Sequence, residues 1–376
     1  MYTIIGAGIG GLTTALVFEK LNINYQLFEK AKGPNALGAG IWLAPNALQV
    51  LEFAGVLDNV TQAGNIINRI TLTNEKLNTL VDSSQLPAKE KYGFSTVAIH
   101  RGKLQSVLIN ALPKNKIQWN KAFKSYTQAN NNVTVTFSDG SQTKSTYLIG
   151  ADGINSKVRA QLFPESTIRF SGQTCWRGVM QTALPEDYKD RGIEIWGKGI
   201  RFGLSQLSNN ETSWFAVKKS KAFGKDDTAV LKEKLHAYYK NFHPLVHQLI
   251  NNTSLEHIIR NDITDLKPLK SWQKQNVCLL GDAAHATTPN MGQGGAQAIE
   301  DAYYLGKLIA KFPNKNNFKA FEKKRFKKAN AIVNQSWRTG KIAHFKTLAP
   351  IRNIIFKNIP KPILDKTMFS VYDLKN

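Results

Sequence analysis

The sequence predicts an α/β protein: a Rossmann-like parallel sheet, interleaved with a mixed β-sheet region and closed by helices at the C-terminal end. Three observations predict it. An apolar strand breaks into GAGIGG at residues 6–11. Two later apolar runs, TYLIG and NVCLL, break in the same way into ADG and GDAAH. Residues 172–218 alternate with the period of strands and are rich in aromatic and β-branched side chains.

Tyr2–Ile5 is the first strand, and Gly6, Gly8 and Gly11 follow it in the G-x-G-x-x-G register. Gly6 permits a tight turn, Gly8 lets backbone approach a pyrophosphate, and Gly11 lets a helix pack on the strand. That helix runs from about Gly10 to Leu21, with Leu12, Ala15, Leu16 and Glu19 at helical spacing. Its free N-terminal amides favour negative charge. The next strand, YQLFEK, ends in Glu29, eighteen residues beyond Gly11. An acid there accepts hydrogen bonds from a ribose diol and repels the extra phosphate of NADP. The unit reads as a dinucleotide site, with NAD and FAD both open.

The run TYLIGADGINSKVR (146–159) is a second strand breaking into Asp152, Gly153, Ser156 and Arg159. NVCLLGDAAH (276–285) repeats the pattern with Asp282 and leads to Gly292, Gly294 and Gly295. Three strand ends that each deliver small residues and a carboxylate are expected to meet at the C-terminal edge of one parallel sheet, where open α/β folds bind ligands.

Composition narrows the class. The chain has 376 residues, 42% hydrophobic and 20% charged, as in globular proteins. No uncharged apolar run reaches the roughly 18 residues of a membrane span, and Met1 leads into a strand without a basic leader, so a soluble, cytoplasmic protein is expected. Two distant cysteines, Cys175 and Cys278, fit a reducing compartment, and no His/Cys cluster has metal-ligand spacing. The net charge is +23; residues 311–376 hold 13 Lys and 3 Arg against 3 acids. No nucleic-acid-binding signature accompanies that charge, so no nucleic-acid partner is expected. Ile354, Ile355, Ile359, Ile363 and Leu364 beside lysines raise a weak contact with an anionic membrane surface.

GAGIGG, GADGINSKVR and GDAAHATTPNMGQGGAQAIEDA, in this order, resemble the three fingerprints of the FAD-dependent aromatic hydroxylases, the single-component (group A) flavoprotein monooxygenases. GAGIWLAPNALQVLEFAGV at 38–56 and HRGKLQSVL at 100–108 fit the same pattern, so the resemblance spans residues 1 to about 310. Within the family the chain is most similar to the branch of urate hydroxylases and carotenoid epoxidases. The resemblance implies a Rossmann-like FAD-binding domain formed by residues 1–66, 97–165 and 266–310. The substrate domain is 67–96 and 166–265, and 311–376 form a basic C-terminal helical region.

It also implies the cofactor-binding residues: Gly6, Gly8, Ile9, Gly11, Glu29, Lys30, Trp42, Arg101, Phe123, Asp152, Asp282, Gly292, Gln293, Gly294, Gly295 and Ala296. Arg101 is expected at the FAD phosphates, Asp282 at the ribityl or pyrophosphate hydroxyls, and Gly292–Ala296 at the flavin ring, which carries negative charge when reduced. Trp42 and Phe123 would touch FAD through backbone. The implied substrate wall is Trp176, Arg177, Trp196, Arg201, Phe202, Trp214, Pro289 and Met291, with Arg201 and Trp214 where urate-type relatives contact substrate. His285 is assigned to packing.

With no second G-x-G-x-x-G, the implied reaction uses a transient visit by NAD(P)H, then O2, and a flavin C4a-hydroperoxide that hydroxylates or epoxidises a small aromatic, heteroaromatic or polyene substrate. No catalytic side chain is assigned, because the flavin carries the chemistry. The alternatives are a flavin-dependent reductase or dehydrogenase on the same fold, and a non-catalytic basic binding protein that retains it. The oligomeric state is left open.

Overall fold

In the computed structural model, which describes residues 1–34 and 38–374, four parallel strands end in one row. They are Tyr2–Ile5, Tyr25–Phe28, Tyr147–Gly150 and Val277–Leu279. Ile5 pairs with Phe28 on one side and Gly150 on the other, and Gly150 pairs with Leu279. The residues that follow each strand therefore start from a common edge. Ile117–Gln118, parallel, and Gln273–Lys274, antiparallel, complete six strands.

Both faces of this sheet are covered, which is why its strands read as unbroken apolar runs. On one face Tyr2 and Tyr25 pack against Phe18 of the Ile9–Lys20 helix; on the other Phe28 packs against Phe137 of the three-stranded meander Phe123–Ala129, Asn132–Phe137 and Gln142–Ser145. A second helix, Gly294–Lys311, lies along Ile9–Lys20 so closely that a Cβ on Gly306 would stand 2.4 Å from Val17 Cγ1.

The mixed sheet has seven strands in the order Ile258–Leu266, Ile168–Met180, Glu211–Lys219, Ile200–Ser208, Arg191–Trp196, Arg69–Asn74 and Thr79–Ser84. All its neighbours are antiparallel except Arg191–Trp196 with Arg69–Asn74. Its back face is sealed by the helices Leu231–Tyr238 and Pro244–Asn251, whose Leu235, Val246 and Leu249 join Ile193, Phe202 and Trp214 in one buried cluster. Its front face meets the small sheet Gly40–Leu43, Thr96–His100 and Asn65–Ile67. There the indole of Trp42 fills the space a Gly192 side chain would take, 2.5 Å from that Cβ position, and donates to Ser205 Oγ at 2.9 Å.

Three helices follow the sheets: Phe318–Ala343, Ala349–Lys357 and Lys361–Tyr372. Pro350 and Pro362 each stand in the first turn of their helix, where a missing N–H costs nothing. Among the described residues no helix is long and apolar enough to cross a membrane, and no group of three or more His, Cys, Asp and Glu side chains could hold a metal ion.

Candidate active site

The three glycine-containing breaks converge. Gly6 has φ +105°, open to glycine at little cost, and a Cβ on it would stand 2.5 Å from the Ala151 carbonyl oxygen. That contact joins the first break to the second. A Cβ on Gly10 would meet Leu280 at 3.0 Å and Ala298 at 3.2 Å, and one on Gly295 would meet Ile41 at 2.9 Å and Ile9 at 3.9 Å. Those contacts join the first break to the third. A Cβ on Gly8 would meet nothing within 4 Å, so the space beside its Cα is open to a ligand.

Two helix N-termini point into this crevice without caps. The Ile9–Lys20 helix begins after Gly8 and the Gly294–Lys311 helix after Gln293; neither has a side-chain cap bond or an acid in its first turn. First-turn amides have no carbonyl partner inside their own helix. At Gly294 and Gly295 there are also no side chains to screen them. Unfilled donors at two helix ends suit two anionic groups, and they fit a dinucleotide whose pyrophosphate lies on the first helix and whose electron-rich ring lies on the second.

Two acids flank the crevice. Glu29 is held by the amides of Ala7 at 2.7 Å and Ala31 at 2.9 Å, which fixes its carboxylate at the edge of the first break. Asp282 opens to the crevice. The protein mass around it raises its pKa by desolvation, opposed by the charges of His285 and Arg101. Arg101 and Lys30 are exposed, and Arg101 makes no ion pair among the described residues. Asp152 is engaged differently: it accepts from Ser156 Oγ and from the amides of Lys157 at 2.8 Å and Val158 at 3.2 Å, capping the helix Lys157–Leu162. Burial raises the Asp152 pKa against the pull of those hydrogen bonds. The Phe123 ring is buried beside Tyr126, inside the meander.

His285 is a packing residue here. Its Nε2 lies 2.6 Å from Asp301 Oδ2, and its ring sits 4.8 Å from that of Trp272. Asp301 also accepts from the Gly281 amide at 3.0 Å and from Arg325 Nε at 2.8 Å. Beside it, Glu300 binds Arg325, Lys328 and Asn46, and Asn46 reaches Gln293 Oε1 at 3.1 Å. This buried network holds the start of the Gly294–Lys311 helix in place.

The mixed sheet roofs the crevice with its front face, and side-chain alternation decides which expected residues belong there. Arg177, Trp196 and Arg201 lie on the front. Trp176, Phe202 and Trp214, expected on the substrate wall, lie on the back. Phe202 stacks on Trp214 at 5.5 Å, Trp214 Nε1 donates to Thr253 at 2.8 Å, and Trp176 Nε1 donates to Asp226 at 2.6 Å. The cause is the two-residue period: neighbours along a strand face opposite ways, so Trp176 with Arg177 and Arg201 with Phe202 cannot share a wall.

The front-face ring that sequence reasoning missed is Phe215. It pairs with Arg177 and Gly203, and lies over Gly203, whose Cβ would stand 2.2 Å from it. Arg201 is 2% exposed; it donates to Glu194 Oε1 at 3.0 Å and to Asn290 Oδ1, while its Nε has no protein partner. That contact ties the roof to the turn Pro289–Met291 that precedes the glycine helix. Pro289 is exposed, and Met291 packs toward Ala44 and Ile332. Trp196 is covered by the Ala349–Lys357 helix through Phe356 at 4.9 Å. Arg177 turns toward the edge strand and donates to Asn261 at 3.2 Å.

A family model described as "FAD binding domain" matches residues 2–336. The chain is 34% identical to the aurachin C monooxygenase/isomerase of Stigmatella aurantiaca over 91% of this chain and 89% of that protein. It is 33% identical to the 2-heptyl-3-hydroxy-4(1H)-quinolone synthase of Pseudomonas aeruginosa over 95% and 94% of the two chains. The crystal structure of Klebsiella pneumoniae HpxO with FAD and uric acid superposes with a TM-score of 0.91 at 26% identity, over 99% of this chain and 96% of that one.

Proposed function

Because the chain belongs to the FAD-binding-domain family of aromatic hydroxylases and is an FAD-dependent monooxygenase, we propose that its substrate is a planar heteroaromatic ring in which a ring carbonyl is conjugated with a ring N–H. The observation that carries the enzymatic reading is the convergence of three glycine-rich breaks and two uncapped helix ends on one crevice. The observation that carries the substrate class is Arg201: a buried guanidinium on the roof whose Nε lacks a partner. A guanidinium matches flat acceptor groups with directed hydrogen bonds. Relatives whose names specify a 4(1H)-quinolone and whose crystals hold uric acid agree with that chemistry.

The chemistry that FAD supplies when bound is acceptance of hydride from NAD(P)H and activation of O2, one oxygen atom entering the substrate and the other leaving as water. The chain's own residues bind and orient. Glu29 would hold the ribose end of FAD, Asp282 and Arg101 its central section, and the amides of Gly294–Ala296 would stabilise negative charge on its ring. Glu194 and Asn290 fix the Arg201 plane, Phe215 offers an aromatic face to a flat substrate, and the mixed sheet excludes water.

NAD(P)H oxidation and O2 uptake measured over alkylquinolones, purines, phenols and hydrocarbon polyenes test this. Quinolones or purines should stimulate both together, and Arg201→Gln should raise KM for them while leaving bound flavin unchanged. Stimulation by polyenes alone would overturn the substrate class. NAD(P)H turnover that ignores removal of oxygen would favour a reductase.

A further inference from the structure

The helix Ala349–Lys357 has an inner side that is anchored to the protein and an outer side that is apolar. Ala349 and Arg352 are buried on its inner side, where Arg352 donates to the carbonyls of Ala343 at 2.7 Å and Gly197 at 3.2 Å and Phe356 rests on Trp196. Its outer side carries Ile351, Ile354 and Ile355, spaced three and four residues apart and 57%, 63% and 58% exposed. Leu348, one turn earlier, is also exposed, and so is Ile363 in the next helix. A surface helix in water normally turns charged residues outward and keeps its apolar stripe for the core. Here the stripe facing water is isoleucine.

The charges that accompany these isoleucines along the chain are mainly basic. Lys346, Lys357, Lys361 and Lys366 are exposed, whereas Asp365, half-buried, is the one acid in residues 344–372; Glu75 lies on the inner side of the helix, beside Ala349 and Arg352. A second protein surface of ordinary composition would not be selected by such a pattern, but a bilayer with anionic headgroups is: isoleucines enter the boundary between headgroup and acyl chain, and lysines stay at the phosphates. We propose that the Ala349–Lys357 helix and the start of Lys361–Tyr372 dock this protein, reversibly, onto an anionic membrane surface. The docked helix is also the one whose inner face covers Trp196 on the roof sheet, so membrane contact and the substrate end of the roof lie on two sides of one helix. The proposal is independent of the ring class assigned above.

The test is cosedimentation of the full-length holoenzyme with vesicles of phosphatidylcholine alone and with about one third phosphatidylglycerol, at low and high salt, alongside light scattering for oligomeric state. Binding should require phosphatidylglycerol and weaken with salt, by about fivefold for each basic residue lost. Ile354→Glu/Ile355→Glu should abolish it and Lys357→Glu/Lys361→Glu should weaken it, with flavin content, thermal midpoint and turnover of a water-soluble substrate unchanged. No sedimentation at low salt, or sedimentation unaffected by the isoleucine pair, would overturn the proposal. So would a wild-type dimer that Ile354→Glu/Ile355→Glu converts to a monomer, which would assign the face to a second copy of the chain.

Discussion

Gly11 lies against Gly6 so closely that a Cβ on Gly11 would stand 1.8 Å from the Gly6 carbonyl oxygen, whereas a Cβ on Gly8 between them would meet nothing within 4 Å. The two glycines therefore serve different purposes. Gly11→Ala forces the helix off the strand and should cost about 1–3 kcal/mol of stability together with flavin binding. Gly8→Ala should leave the thermal midpoint of the apoprotein intact yet lose FAD, because its methyl group occupies only ligand space. Equal loss of stability in both variants, read by denaturant unfolding of the apoproteins, would contradict this division.

Asp282 has its carboxylate open to the crevice, with the protein mass around it disfavouring charge and His285 and Arg101 favouring it. Asp282→Asn should weaken FAD retention by about tenfold to a hundredfold, the worth of a hydrogen bond to a charged group. Fluorescence titration of apoprotein with FAD measures it. Unchanged affinity would mean that this carboxylate does not meet the cofactor.

Trp214 and Phe215 are sequence neighbours on opposite faces of the roof. Trp214→Ala empties a buried site beneath Phe202 and should destabilise by about 3–5 kcal/mol. Phe215→Ala should disturb stability less and shift KM and substrate preference more. Chemical denaturation and steady-state kinetics of the pair separate the faces, and a reversed pattern would refute the assignment.

His344 is buried beside Arg201, and burial, reinforced by the charge of Arg201, pulls its pKa down to about 3. The folded protein thus keeps it neutral at pH values where the unfolded chain, with an ordinary imidazole near 6.5, takes up a proton. The unfolded state then binds more protons, so stability is full above about pH 6.5 and falls by up to about 1.4 kcal/mol per unit as pH drops toward 3. His344→Gln should flatten this part of the stability profile between pH 6.5 and 4 relative to wild type. Parallel profiles would show that His344 is not the group responsible.

What the sequence disclosed and what it hid differ for physical reasons. The first break was legible because glycine spacing is a steric demand: Gly6 and Gly11 are forced by contacts with Ala151 and with each other. Glu29 was legible as a crevice acid from its place at a strand end, but not its two backbone donors, Ala7 and Ala31. The front face of the roof was half legible. Alternation marks strands 172–218, yet which parity faces the crevice depends on what packs on each side, and Trp176, Phe202 and Trp214 went to the helix-covered back. The large tryptophans drew notice away from Phe215, whose seat depends on Gly203 across the strand pair. Asp152 was legible as a conspicuous acid after a strand, but its capping of Lys157–Leu162 requires knowing where the chain turns next.

The indole of Trp42, seated over Gly192 and bonded to Ser205, has a mechanical consequence. It keys floor to ceiling at one side of the slot, so the two lobes cannot slide past one another without first withdrawing that wedge. Clearance in the slot is thereby set by the framework before any guest enters.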